Sequence, residues 1–287
     1  FGRVPTVEAV AGSGHHSSRS ALLCGFRLAV FGWQLTIMVS YIVHKAFSEH
    51  NPQWPRMFAF FTIWNYLLQT AWWGLASMAS FTAIWSLGGP SLRLRRIVHA
   101  LLSVCVPAAI LVSVVLWCVL LPVDARHVPS LAHRELNVFS YNMHAVNTLC
   151  LLIECALNRM LLHPAALPLL LCWVCLYMAV CWLQQAYTGF WPYFFMDLSS
   201  WWAVAWYALL LLLHVAAFGL VVLGSRLKAR HRPLLGMLHY VDLDCERVGG
   251  LVGLRASPTS DAVAHCLSGV ADDDAPCSTS RSMGERT

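Results

Sequence analysis

Six stretches of apolar residues constrain this chain more than any other feature, because each is long enough to cross a bilayer. A helix of about 20 residues spans the roughly 30 Å hydrocarbon core, since each residue adds about 1.5 Å. The stretches are read as spans at Ala21–Val43, Met57–Ala79, Ile97–Leu121, Leu136–Leu157, Ala165–Gln185 and Ser200–Leu223. Only 11% of the residues are charged and 58% are hydrophobic, too few charges to clothe a water-facing globule. The expectation is an all-α fold, a six-transmembrane helix bundle in contact with the lipid bilayer, integral to an endomembrane such as the ER or to the plasma membrane. No basic stripe on a soluble domain points to nucleic acid.

The remaining segments differ in composition. Residues 1–20 form a polar N-terminal segment, residues 21–224 the membrane domain, and residues 225–287 a mostly disordered cytoplasmic tail rich in Ser, Asp and Thr. A short juxtamembrane helix is expected near Leu234–Val241. With Phe1 in place of Met, the sequence reads as a fragment or processed product. Arg3, Arg19, Arg93, Arg95, Arg96, Arg159, Arg226, Lys228, Arg230 and Arg232 fall on one side of the spans. Lys45, Arg56, Arg126 and Arg134 fall on the other. The positive-inside rule therefore places both termini in the cytoplasm. The eleven cysteines lie mainly in apolar runs and read as free thiols, including the Cys172-x-x-Cys175 pair.

Polar side chains at membrane depth are costly and so carry most of the functional signal. Thr62, Asn65 and Gln69 share one face of the second span, and His144, Asn147, Glu154 and Asn158 one face of the fourth. Both spans enter from the non-cytoplasmic side, with Thr62 and His144 at comparable depth. A hydroxyl and an imidazole on facing stripes have the arrangement of a nucleophile and its base. Against this stands the ordinary behaviour of each residue. A Thr in a span commonly bonds its own helix four residues back. Asn and Gln serve as interhelical glue. Glu154 and Arg159 snorkel, and His214 is a packing residue. The fifth span runs through Gln184 into a loop of aromatic residues with Asp197 as its single charge, a segment suited to roofing a cavity.

Three stretches resemble a known family. Phe60-Phe61-Thr62-Ile63-Trp64-Asn65-Tyr66-Leu67-Leu68-Gln69, Asn142-Met143-His144-Ala145-Val146-Asn147 with Leu151-Leu152-Ile153-Glu154, and Tyr187-Thr188-Gly189-Phe190-Trp191 with Tyr193 resemble motifs of the androgen-induced-gene family and the related Rolling stone family. The resemblance implies six spans and cytoplasmic termini. Animal androgen-induced members are threonine hydrolases of fatty-acid esters of hydroxy fatty acids, and their essential Thr and His correspond to Thr62 and His144. Ala145 and Val146 stand where those enzymes have hydroxyl residues.

The chemistry implied is ester hydrolysis. Thr62 attacks the carbonyl, and His144 takes its proton and later activates water. Asn65, Asn147, Gln184 and Asp197 are the candidates for contacting substrate or stabilising the oxyanion. The partner is an apolar lipid ester. No cofactor and no metal is expected, and the two well-embedded histidines do not make a pair of bis-His haem sites. The alternative is a non-catalytic membrane scaffold or a cell-adhesion or fusion protein of Rolling stone type, with a channel or carrier as a further reading.

Overall fold

A computed structural model of the chain describes residues 17–48, 54–85, 89–127 and 136–230. The expected juxtamembrane helix, nearly all of the tail and most of the N-terminal segment lie outside these residues. Among the described residues the chain is all-helical, with six long helices. They are α1 (Ser17–Val43), α2 (Phe61–Trp85), α3 (Leu92–His127), α4 (residues 138–157), α5 (Leu167–Thr188) and α6 (Ala203–Arg230). Four of them, α1, α3, α5 and α6, are long and apolar enough to cross a membrane. The other two, α2 and α4, fall below that threshold because they hold the Asn, Gln, His, Thr and Glu side chains of the polar stripes.

Local sequence sets the helix ends. The Ser91 hydroxyl accepts from the Leu94 amide and starts α3, and the Asn137 side chain accepts from Phe139 and Ser140 and starts α4. Gly189 ends α5 at φ 69°, in the left-handed conformation that a residue with a Cβ disfavours, and its amide donates to Gln185. Helix α1 starts four residues before the expected span, so Ser17–Ser20 belong to it. Helix α2 starts later than expected, at Phe61, behind a 3₁₀ turn over Trp54–Ala59. Thr62 therefore lies in the first turn of its helix rather than well inside a span.

Besides the π-helical turn His44–Ser48 that continues α1, two lie within helices, over Leu116–Leu120 in α3 and Asn142–Val146 in α4. Such turns are uncommon and concentrate at functional sites. Around the second, the amide of Asn147 donates to Asn142, five residues back. The Ser113 hydroxyl donates to the His144 carbonyl at 2.9 Å, and the Thr148 hydroxyl donates to Ala109 at 3.1 Å. These contacts clamp α3 to α4. Pro107 sits inside α3 without breaking it, and the Gln69 amide of α2 donates to the nearby Cys105 carbonyl at 3.2 Å.

The main core packs Trp72, Trp73, Ala76 and Ala79 of α2 against Val98, Leu102 and Cys105 of α3, with Leu151 of α4, Leu170 of α5 and Phe218 of α6. The outward faces are apolar as well. Leu22, Leu183, Val204, Leu212 and Leu220 are all more than half exposed. Helices that are apolar on every side suit lipid surroundings, and this is an integral membrane protein.

One buried ion pair ties the bundle together at one end. Arg27 of α1 and Glu154 of α4 are both fully buried. The Arg27 Nε lies 3.1 Å from each Glu154 carboxylate oxygen, and its Nη2 donates to the same group. The Arg27 Nη1 donates to the Ser80 hydroxyl and the Ala76 carbonyl of α2. Asn158 donates to Glu154 at 3.2 Å, and the Lys228 ammonium of α6 donates to the Cys155 carbonyl at 2.6 Å. Glu154 thus does not snorkel; its charge is neutralised inside. Removing one member of such a pair strands a buried charge and costs about 3–5 kcal/mol, whereas apolar replacement of both costs far less. Glu154→Gln and Arg27→Met should each lower the thermal midpoint in detergent sharply. The double variant Arg27→Met/Glu154→Leu should recover much of the loss; a double variant as unstable as the summed singles would refute the pairing.

Candidate functional site

Apart from Glu154 and Asn158, which join the Arg27 ion pair, the polar residues of the stripes separate into two groups once the helices are assembled. The first group forms a chain of amides across α1, α2 and α4. The Gln34 amide donates to Asn147 at 2.7 Å, Asn147 donates to Gln69, and Gln34 accepts from the Thr70 hydroxyl at 3.2 Å. Asn65 donates to the Phe61 carbonyl at 2.7 Å and accepts from the Trp173 indole of α5 at 3.0 Å. Each of these amides is buried with its hydrogen bonds met, so it fixes helix against helix.

Thr62 and His144 form the second group. They line one cavity of about 340 Å³, walled by Leu111, Val112 and Val115 of α3, Val174 and Met178 of α5, and His214 of α6. The loop between α5 and α6 closes it, with Tyr193, Phe195 and Met196 as its roof. The Tyr193 ring stacks on Phe195 with centroids 5.0 Å apart. Cys175, Ala208 and Leu211 line the cavity and are also exposed on the outer faces of α5 and α6. The cavity therefore opens sideways, between these two helices, toward lipid.

Thr62 is held differently from the other hydroxyls of its helix. Thr70, Ser77, Ser80 and Thr82 all donate to the carbonyl four residues back. Thr62 lies in the first turn, and the carbonyl four residues before it, Phe58, accepts from the Trp64 indole at 2.7 Å. Its hydroxyl makes no such bond and lines the cavity beside Tyr193. The Tyr193 oxygen accepts the Phe61 amide at 3.1 Å, a donor that a helix start leaves without a helical partner. Thr62 thus stands at the positive end of a 25-residue helix, where negative charge is favoured.

The imidazole of His144 is fixed by its other nitrogen. Its Nδ1 lies 3.2 Å from the Val112 carbonyl, which has no proton to give. Nδ1 is therefore the protonated nitrogen, and Nε2 keeps its lone pair. His214 repeats the pattern, with Nδ1 donating to Leu210 at 2.8 Å.

The other expected contact residues lie elsewhere. Gln184 faces a separate open groove with Trp64, Leu183 and Tyr187. Asp197 lies in the loop after the roof, where its carboxylate accepts the Ser199 amide at 2.9 Å, a bond that holds its carboxyl below the usual carboxylate range. Among the described residues, no group of three His, Cys, Asp or Glu side chains is placed to hold a metal ion. The cysteines of the described residues are free thiols.

Sequence reasoning passed over Arg27, a lone cation in an apolar run, and treated His214 as packing. Tyr193 entered only through the loop motif. Arg27 could have been noticed as an intramembrane charge opposite Glu154; nothing in the spacing of His214 announced the cavity.

The family model for FAR-17a/AIG1-like proteins matches residues 23–229. No curated protein and no solved structure matches the chain. The amide chain yields its own prediction. Asn147→Leu strands polar groups of Gln34 and Gln69 at a cost of about 1–3 kcal/mol, and should lower the thermal midpoint in detergent, while an unchanged midpoint would show that these bonds do not hold the bundle.

Proposed function

We propose, for a chain that belongs to the FAR-17a/AIG1-like protein family, an intramembrane threonine hydrolase of fatty-acid esters. The observation that supports this reading is that Thr62 and His144 both line one apolar, laterally open cavity. Thr62 Oγ attacks the ester carbonyl. His144 Nε2 takes the hydroxyl proton and passes it to the departing alkoxide, leaving the acyl group on Thr62. Water then releases the fatty acid.

The Tyr193 hydroxyl is the donor best supported for the oxyanion. It lines the cavity beside Thr62, and its oxygen accepts the Phe61 amide, which leaves its proton for the carbonyl oxygen. It takes the role expected of the Asn65, Asn147 and Gln184 amides.

The six helices are the six spans in this reading, with both termini cytoplasmic. The cavity then sits in the acyl zone of the opposite leaflet, and the opening between α5 and α6 admits substrate directly from lipid. The polar ends of the chain act as cytoplasmic extensions of the membrane domain.

A fluorophosphonate probe should label purified protein at Thr62. Thr62→Ala and His144→Ala should each abolish labelling without moving the thermal midpoint by more than a few degrees; labelling that persists in both would reject the nucleophile and base. Tyr193→Phe removes one oxyanion donor and should slow labelling by about 100-fold. Ala208→Trp places a large side chain at the lateral mouth. It should slow a long-chain probe far more than a short one, and equal slowing of both would argue against entry there.

A further inference from the structure

One residue lining the cavity that the reaction above does not use has a buried polar atom without a partner. His214 is only 4% exposed. Its Nδ1–H is spent on Leu210, so Nε2 bears a lone pair, and that nitrogen is buried with no hydrogen-bond partner among the described residues. Its ring meets Phe61, the residue before Thr62, edge to face with centroids 5.9 Å apart.

A buried acceptor without a donor is costly, about 1–3 kcal/mol. Two of the three tyrosine hydroxyls lining the cavity are engaged elsewhere: Tyr177 donates to Ala59 at 2.8 Å and Tyr207 to Met196 at 3.1 Å. An occupant of the cavity can supply the missing donor. The ester linkage itself has only acceptor oxygens. The reactant that brings an O–H is water.

We propose that His214 Nε2 binds and deprotonates the water that cleaves the acyl-Thr62 ester, an assignment that rests on the threonine-hydrolase reading. It divides the two half-reactions between two histidines, with His144 serving acylation and His214 serving deacylation. In the second half the water oxygen bonds to the acyl carbon while its proton passes to Nε2. The tetrahedral adduct then collapses, the bond from the acyl carbon to Thr62 Oγ breaks, and the proton held by His214 returns to that oxygen. The products are a free carboxylic acid and the regenerated threonine hydroxyl, with no change of oxidation state.

His214→Asn tests this, because the shorter amide can keep the bond to Leu210 while removing the acceptor at the Nε2 position. The full chain in detergent, given a p-nitrophenyl ester of a medium-chain fatty acid, should release one equivalent of nitrophenolate in a burst. Steady-state turnover should then fall at least 100-fold, the scale of a lost general base. Mass spectrometry should find the acyl group on the Thr62 peptide, and the rate of fluorophosphonate labelling should stay close to that of the unmodified protein. His214→Phe, which keeps a ring against Phe61, carries the same expectation should the Asn variant fail to fold. His214→Gln, whose amide oxygen can bind water near the Nε2 position but cannot take its proton, should stay as slow as His214→Asn, and recovery of turnover in it would overturn the deprotonating role. Unchanged turnover in folded His214→Asn would overturn the assignment, and so would a parallel loss of burst and turnover. Turnover that survives Thr62→Ala would remove the hydrolase reading itself, and the role of His214 with it.

Discussion

The ion pair between Arg27 and Glu154 is the constraint to which the rest of the bundle answers. Two full charges are held away from water, and each needs its partner in place. Arg27 extends from α1 to contact α2 and α4 together. Asn158 attaches to the same carboxylate, and Lys228 of α6 closes over the end of α4. Four helices are thereby registered at one end. Closer to the middle, the amides of Gln34, Asn147 and Gln69 continue the same seam.

The opposite end is built by different means. The helices there are joined by aromatic packing and by single hydroxyl contacts rather than by charge. Tyr193 supplies a missing helical bond at the start of α2, at the Phe61 amide, and lines the cavity beside Thr62. The π-helical turn in α4 shifts the backbone at His144, and Ser113 and Val112 of α3 fix both its carbonyl and its ring. A tightly locked end thus supports a hollow one. Polar groups at the locked end satisfy one another, whereas those at the hollow end retain capacity for a ligand.

The sequence made the class of fold legible because apolar run length is a direct consequence of bilayer thickness. It also revealed the faces of α2 and α4, since helical periodicity brought Asn65 and Gln69, and His144, Asn147 and Glu154, onto common stripes that are buried. Periodicity did not reveal which members of a stripe meet solid packing and which meet a cavity. That distinction depends on the π-helical turns, on the delayed start of α2 and on the loop folded over it, none of which follows from apolar spacing. His214 was obscure for the same reason. A histidine in an otherwise apolar span becomes informative only when the space before its ring is known.

Under the proposed function, the sideways mouth at Cys175, Ala208 and Leu211 has a consequence for how substrate is met. A molecule arriving through it is drawn from the surrounding leaflet, so the quantity that governs occupancy is its mole fraction among lipids, not its molarity in the aqueous phase. Adding inert amphiphile at constant bulk ligand dilutes what the mouth encounters. Two preparations with identical total concentrations will then behave differently if their ratios of lipid or detergent differ.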